Sequence, residues 1–172
     1  MTEFHFCPVC GSTLAERQLP TEDRPRLVCT ACGHILYLNP KVVSGTLPVS
    51  DNRVWLLRRG IEPRLGYWSH PAGFQELDES TEEAAIRETW EELGCVVELT
   101  RLLGVYSRAG ASVNVVFLAT FTRDGGLPRT TPEALEVRAF AANELPWDEL
   151  AFPSTYSILR DWLQTFATEN GV

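Results

Sequence analysis

The chain has 172 residues, 44% of them hydrophobic, and a formal net charge of −8 at pH 7. This length suits one ordinary domain with a small appendage, and the apolar content is sufficient for a packed core. The acidic balance argues against non-specific binding to nucleic acid or to an anionic membrane, since both require a basic surface. It is compatible with an acidic substrate, because a bound cation would reverse the local field.

The distribution of apolar residues indicates whether the protein is expected in a membrane, outside the cell or in the cytoplasm. No segment approaches the roughly 18 apolar residues that a membrane span requires. The first residues, Met1 to Phe6, run directly into a cysteine motif without a basic region followed by an apolar stretch, so no secretory signal is predicted. We therefore expect a cytoplasmic protein without a membrane partner.

The first motif consists of two Cys-x-x-Cys pairs, separated by eighteen residues and each followed by glycine; the cysteines are Cys7, Cys10, Cys29 and Cys32. This spacing matches a four-cysteine zinc site. A segment of roughly 40 residues needs such a staple to fold. Disulfides are disfavoured in a reducing cytosol, and a redox pair is disfavoured because the motif appears twice without a surrounding βαβ pattern. Four thiolates leave zinc no open coordination position, so its predicted role is structural.

Proline in the stretch Leu38 to Pro40 predicts the linker between a zinc ribbon at residues 1–38 and a second domain at residues 39–172. Two strands should follow, Val42 to Val49 and Arg53 to Leu57, joined by a turn at residues 50–52. A loop is then expected from Pro71 to Glu79.

The next element is a helix with clear ends. Ser80 and Glu83 have the spacing of a capping box, and Gly94 follows Leu93 as a C-terminal stop. Cys95 opens an apolar run, which favours a buried strand residue over a reactive thiol. Further strands are predicted near Val96 to Tyr106, Val113 to Thr122 and Leu135 to Ala141, and an amphipathic helix from Ser154 to Phe166. This order suits an α/β fold with a mixed sheet between helices.

Glu88, Glu91 and Glu92 lie on the predicted helix at spacings of three and four residues, which place side chains on one face. Like charges at this spacing repel each other, and a hard divalent cation such as Mg²⁺ or Mn²⁺ would remove the repulsion. A metal site is the leading interpretation. The alternative is a solvated acidic helix with ion pairs from Arg87 to Glu83 and Glu91.

A longer string around these carboxylates resembles the Nudix box. Thr89 and Cys95 stand where larger apolar residues are usual, which concerns packing rather than chemistry. The matching positions, at the spacing of the family pattern, are Gly73, Glu79, Arg87, Glu88, Glu91, Glu92 and Gly94. The resemblance implies an α/β/α sandwich with a mixed sheet, preceded here by the zinc ribbon.

The resemblance also implies a reaction and roles for residues. The reaction is metal-dependent hydrolysis of a nucleoside diphosphate linked to another group, by attack of water at phosphorus. The principal Mg²⁺ or Mn²⁺ ligands would be Glu88 and Glu92, with Glu91 sharing and the carbonyl of Ala72 completing the shell. Glu79 would pair with Arg87 and hold the helix against the loop that contains Gly73. The general base would be a box glutamate or a distal one, for which Glu133 and Glu136 are both candidates.

The substrate is less closely defined. NADH diphosphatases usually carry a Ser-Gln-Pro-Trp-Pro-Phe-Pro-x-Ser stretch after the box, which is absent from residues 106–112, and Phe152-Pro153-Ser154 comes too late in the chain to replace it. Similarity to the plant-type FAD/ADP-ribose diphosphatases extends from Phe6 to Leu163 and favours FAD or ADP-ribose, with release of AMP. The alternatives are another dinucleotide such as NADH, RNA decapping, which requires a basic groove, or a non-catalytic nucleotide sensor. A homodimer is usual for this family.

Four residues near the box are candidate substrate contacts. The guanidinium groups of Arg58 and Arg59 could grip a phosphate, with surface solvation as the alternative. The rings of Tyr67 and Phe74 could stack on an adenine or flavin, with a place in the core as the alternative.

Overall fold

The computed structural model describes residues 4–170, and side chains up to residue 165. Its internal contacts divide the chain into two compact units, one ending at Asn39 and the other beginning at Pro40. No helix in the described part of the chain is long and apolar enough to cross a membrane.

The first unit is a three-stranded antiparallel sheet in the order β1-β2-β3, formed by β1 (Leu14–Arg17), β2 (Arg26–Cys29) and β3 (Ile35–Leu36). Its buried cluster contains only Cys7, Leu14 and Cys29, with two partly buried leucines beside them. So small a core contributes little hydrophobic stabilisation, which is the condition under which small domains depend on a bound metal.

The second unit is built on a seven-stranded sheet whose main path runs β10-β5-β4-β9-β8, with β6 paired to β5 and β7 paired to β4. The β4–β9 pair is parallel and the other pairs are antiparallel, so the predicted mixed sheet is confirmed. The strands are β4 (Val42–Ser50), β5 (Arg53–Arg59), β6 (Trp68–Ser69), β7 (Ala72–Phe74), β8 (Val97–Ser107), β9 (Val113–Phe121) and β10 (Ala134–Phe140).

Helix α1 (Thr81–Leu93) begins and ends as predicted. The Ser80 hydroxyl accepts a hydrogen bond from the Glu83 N–H at 3.2 Å, and the Glu83 carboxylate accepts one from the Ser80 N–H at 2.8 Å. At the other end, Gly94 adopts the left-handed conformation with φ of 63°, which only glycine enters readily. A 3-10 turn (Trp147–Glu149) and helix α2 (Pro153–Asn170) follow the last strand.

The two helices pack on opposite faces of the sheet, as alternation along β5 shows. Leu56 points into a cluster with Ile158 and Trp162 of α2, whereas its neighbour Leu57 points into a cluster with Leu93 of α1. Successive residues of a strand face opposite sides, so α1 and α2 cover different faces. The predicted α/β/α sandwich is confirmed.

One short strand differs from the expectation of a loop before helix α1. Residues 72–74, expected to belong to a loop, form β7 and pair with Val43 to Gly45 of β4. Strands of two or three residues are too short to show alternation in the sequence, so the pattern did not indicate them. The consequence for the site is large, because β7 carries Ala72 and Gly73 against α1.

Candidate active site

Glu92 is the most deeply buried of the box carboxylates, with 4% of the residue exposed. It lies on the face of α1 that meets β7, and its carboxylate accepts a hydrogen bond of 2.8 Å from the backbone N–H of Ala72. Burial raises the pKa of Glu92 to about 8, because the surroundings solvate the charged form poorly and one backbone donor compensates only in part. A buried carboxyl of this kind is suited to exchange its proton for a cation.

Glu88 lies one turn earlier on the same face, with 12% of its side chain exposed. Its carboxylate occupies the space directly over Gly73, where a Cβ atom would overlap the carboxyl carbon and both oxygens. Burial raises the pKa of Glu88, although Arg87 opposes the shift by a hydrogen bond of 2.7 Å. The absence of a side chain at Gly73 therefore permits the approach of Glu88 to β7.

Glu91 is placed differently from the other two. Its side chain is 43% exposed and accepts a hydrogen bond of 3.1 Å from Arg87. Within residues 4–170, the four cysteines are the only group of three or more acidic, histidine or cysteine side chains whose ligand atoms all lie within 4.8 Å of one another. The three box carboxylates therefore do not converge on a single point: Glu88 and Glu92 face β7, and Glu91 lies at the surface.

The contact expected between Glu79 and Arg87 is present. Arg87 donates two hydrogen bonds to the Glu79 carboxylate, from Nε at 2.9 Å and from Nη2 at 2.5 Å, in the bidentate geometry that guanidinium favours. Glu79 also accepts a hydrogen bond from the Glu76 N–H at 2.8 Å, and Arg87 donates to the Phe74 carbonyl at 3.1 Å. These bonds lower the pKa of Glu79 to about 2 and tie the loop after β7 to α1.

The structure distinguishes the two distal glutamates. Burial is the main cause of the raised pKa values of Glu88 and Glu92, and the negative charge of Glu133 raises both further, so Glu133 lies on the side of the box. The segment before it is attached to the end of α1, since the Thr131 hydroxyl donates to the Glu92 carbonyl at 3.2 Å. Glu136 instead lies 3.8 Å from the guanidinium of Arg58.

A cleft of about 540 Å³ opens beside β7. Its lining includes two arginines, three aromatic rings and several hydroxyl groups but no acidic residue, although the chain as a whole is acidic. The residues are Val43, Arg59, Pro63, Ser69, Ala72, Gly73, Phe74, Tyr106, Ser107, Arg108, Ala111, Ser112, Asn114, Phe152, Pro153, Ser154 and Ser157. This volume lies within the usual range of small-molecule sites.

Two of the four predicted substrate contacts line this cleft, Arg59 and Phe74. Arg59 is buried and held in place, since Nε donates to the Pro63 carbonyl at 2.8 Å and the guanidinium carbon lies 5.1 Å from the centre of the Phe152 ring. The other two predicted contacts lie outside the lining. Arg58 donates to the carbonyl of Gly66, and the ring of Tyr67 is covered by the guanidinium of Arg64.

The sequence pattern did not indicate most of the cleft. Its far wall comes from the end of β8 and the start of β9, including Tyr106, Arg108 and Asn114, and from the N-terminal end of α2. The stretch Phe152-Pro153-Ser154, which comes too late in the chain to replace the NADH diphosphatase motif, lines the cleft at the start of α2. The sequence carried only a weak signal for the cleft lining. Aromatic and polar residues occur beside the ends of the strands and of the helix, but they have no defined spacing.

In the first unit, the sulfur atoms of Cys7, Cys10, Cys29 and Cys32 lie within 4.8 Å of one another. The Cys7–Cys32 and Cys10–Cys29 sulfur distances are 3.8 and 3.4 Å. A tetrahedral site with Zn–S bonds of about 2.3 Å requires sulfur atoms roughly 3.8 Å apart, so the cluster has the dimensions of a structural zinc site. All four are free cysteines, which excludes the disulfide alternative in this structure.

Comparison with known proteins agrees with this architecture. The family model described as NUDIX domain matches residues 39–163, and the model described as Nudix N-terminal matches residues 5–38. An ADP-ribose pyrophosphatase from Methanocaldococcus jannaschii is 34% identical over 134 residues, covering 75% of this chain and 76% of that protein. An NAD-capped RNA hydrolase from Schizosaccharomyces pombe is 30% identical over 99% of this chain, which spans only 51% of that longer protein.

Solved structures show the same relationship. A NUDIX hydrolase from Nitrosomonas europaea superposes with a TM-score of 0.85 and 36% identity, covering 94% of this chain and 91% of that one. A MutT NUDIX hydrolase from Burkholderia pseudomallei gives a TM-score of 0.61 and 29% identity over 72% of this chain and 98% of its own. The chain therefore belongs to the Nudix hydrolase family and carries the N-terminal zinc ribbon found with that domain.

Proposed function

We propose that this protein hydrolyses the diphosphate linkage of a nucleoside diphosphate joined to another group, with ADP-ribose or FAD as the favoured substrates and AMP as a product. The observation that carries the proposal is the burial of Glu88 and Glu92 against β7, immediately beside a cleft without acidic residues. Two carboxylates with raised pKa values next to a cationic cleft suit an anionic substrate that arrives with a metal ion.

The donor groups present fit Mg²⁺ or Mn²⁺, which prefer carboxylate and carbonyl oxygens. In our proposal Glu88 and Glu92 would be the main ligands, the carbonyl of Ala72 would add a third oxygen, and Glu91 would supplement them. When bound, such an ion screens the charge of the diphosphate and makes a water molecule more acidic. Gly73 contributes by leaving space for Glu88.

Other residues have supporting roles in the proposal. Glu133 takes a proton from the water whose oxygen attacks phosphorus, while the bond from that phosphorus to the bridging oxygen breaks and the bridging oxygen leaves with the second phosphate. Support for this choice over Glu136 comes from the charge that Glu133 exerts on both buried carboxylates. The bonds between Glu79 and Arg87 hold the loop after β7 in place against helix α1.

The cleft would hold the remainder of the substrate. Arg59 is a fixed cation, tied to Pro63 and Phe152, and can contact phosphate oxygens without losing further side-chain entropy. Phe74 is half exposed and offers a ring face to a base. The relative named as an ADP-ribose pyrophosphatase supports ADP-ribose as the first compound to test.

A second candidate is hydrolysis of NADH or of NAD-capped RNA. It is supported by several relatives named as NAD-capped RNA hydrolases, among them the one that matches nearly the whole chain. The net charge of −8 favours the free dinucleotide over a long RNA, whose backbone requires a basic surface.

The test is a product screen over ADP-ribose, FAD, NADH and NAD-capped RNA with Mg²⁺ or Mn²⁺. We expect AMP from ADP-ribose or FAD, a loss of orders of magnitude in Glu92→Gln, and little change in Glu82→Gln, which alters an exposed carboxylate on the same helix. If no compound is cleaved while one of them raises the melting temperature, the domain is a nucleotide sensor.

Two further expectations belong to this proposal. The free thiols of the zinc ribbon suit a reducing compartment, which supports a cytoplasmic location. We also propose a homodimer, as the family resemblance implies, and light scattering coupled to size-exclusion chromatography measures its mass directly.

A further inference from the structure

Lys41 is the only lysine among the 172 residues, and its contact with a lining residue places it at the rim of the cleft, outside the lining itself. Its Nζ atom is 4.7 Å from the centre of the Phe74 ring, and Phe74 belongs to the cleft lining. An ammonium group over an aromatic face is attracted by the ring electrons, but weakly where both groups are exposed to water. The contact with Phe74 therefore positions the Lys41 ammonium group beside the cleft but holds it only weakly.

The backbone around Lys41 is fixed on both sides. Its carbonyl accepts a hydrogen bond of 2.9 Å from the N–H of Val113, and the carbonyl of Val42 accepts one of 3.2 Å from Gln75. Residues two apart on extended chain face the same side, so Lys41 shares a side with Val43, which lines the cleft. A rigid backbone thus carries a flexible side chain toward the site.

Lys41 has no carboxylate partner in the described part of the chain. Within residues 4–165 it makes no ion pair and contacts the Phe74 ring instead. The neighbouring cleft wall contains Arg59 and Arg108 and no carboxylate. A cation in such surroundings is available to an anionic ligand, since no carboxylate competes for it.

We propose that Lys41 is a further substrate-binding residue, whose ammonium group contacts the phosphate oxygens of a nucleotide diphosphate in the cleft. The choice of ligand rests on the proposed function. Phe74 keeps the ammonium group at the rim until the ligand arrives, and the flexible stem then carries it to the phosphate as a point charge. Lys41 contributes binding energy to substrate and transition state alike, because its flexible stem does not fix the ammonium group against the reacting atoms.

Kinetics test the role of the charge. Lys41→Met keeps the stem and should raise KM for ADP-ribose about tenfold with kcat within about twofold, the pattern expected when uniform binding is lost. Lys41→Arg should stay close to the parent. Arg138→Met is the matched control, because Arg138 also lies over a ring, that of Phe140 at 4.9 Å, but outside the cleft lining. An unchanged KM in Lys41→Met overturns the proposal.

A second measurement does not require turnover. Reductive methylation with ¹³C-formaldehyde labels the single lysine and the α-amino group while keeping their charge, and Lys41→Arg identifies the lysine signal by its loss. Addition of AMP or ADP-ribose should shift that signal. A shift without hydrolysis of any compound supports Lys41 and contradicts the enzymatic function; hydrolysis with an unmoved signal at millimolar nucleotide does the reverse.

Discussion

The backbone N–H of Ala72 donates a hydrogen bond of 2.8 Å to the carboxylate of Glu92, joining the short strand β7 to the C-terminal end of helix α1. This bond favours the charged carboxylate, but burial outweighs it and raises the pKa to about 8. At neutral pH the free protein therefore holds a proton where the proposed metal site requires a negative charge. Binding of a divalent cation should release that proton.

The first prediction concerns pH and stability without added divalent cations. The pKa of Glu92 is raised from 4.5 to about 8 in the folded protein, so its contribution to stability is fully present below 4.5 and is lost as the pH rises through about 8. Between about pH 6 and pH 8, the parent should lose up to about 1.4 kcal/mol per pH unit relative to Glu92→Gln. Urea unfolding at several pH values measures the difference, and parallel profiles would refute it.

The second prediction concerns the pair of Glu79 and Arg87. Because the pKa of Glu79 is lowered to about 2, its stabilisation is present above 4.5 and disappears as the pH falls through about 2. Glu79→Gln should lower the melting temperature at neutral pH and reduce kcat about tenfold or more, since the loop and helix lose their register. Glu82→Gln is the control, and equal behaviour of the two variants would contradict the role.

The third prediction isolates the space over Gly73. A Cβ there would overlap the end of the Glu88 side chain, which can turn aside, so Gly73→Ala should destabilise the fold by only about 1 kcal/mol. In the double variant Gly73→Ala/Glu88→Ala the clash is removed, and the two changes should cost less together than their sum. Denaturant unfolding of all four proteins gives the coupling energy. Strict additivity would show that the two residues do not compete for this space.

The fourth prediction separates the two distal glutamates. Glu133→Gln should reduce kcat by about 10²–10⁴-fold and remove the acidic limb of the pH–rate profile, as loss of a general base does. Glu136→Gln should remain near the parent, because Glu136 lies on β10 opposite Arg58 of β5. The reverse ranking would transfer the role to Glu136, and two normal variants would return it to a box glutamate.

The fifth prediction concerns zinc in the first unit. Cys29→Ser should abolish stoichiometric zinc in elemental analysis and unfold the ribbon, whose buried cluster is otherwise three residues. Cys95→Ala is the control, since Cys95 is buried in the second unit beside Leu93 and Leu57. Its zinc content should equal that of the parent. Full zinc retention in Cys29→Ser would exclude Cys29 from the site.

Much of the fold could be predicted from local patterns. The bounds of α1 followed from Ser80, Glu83 and Gly94 because capping depends on residues within one turn. The long strands were predicted to within a few residues, since alternation over seven or more positions is a strong signal. Strand β7 was not predicted, because three residues carry no period, and its pairing partner Val43 lies about thirty positions earlier.

The sequence by itself indicated the side chains of the two candidate sites: the box glutamates at helical spacing, the Glu79–Arg87 pair and the four cysteines. These follow from chain geometry, because neighbours on a helix or within a short motif meet in any fold that forms it. Only the tertiary structure decided that Glu92 is buried and Glu88 largely covered while Glu91 is exposed, that Glu133 rather than Glu136 lies near them, and that α2 supplies a wall of the cleft. Burial and long-range charge depend on segments far apart in the chain, and both are set by the packing of β7 and β10 against α1 and of α2 on the other face of the sheet.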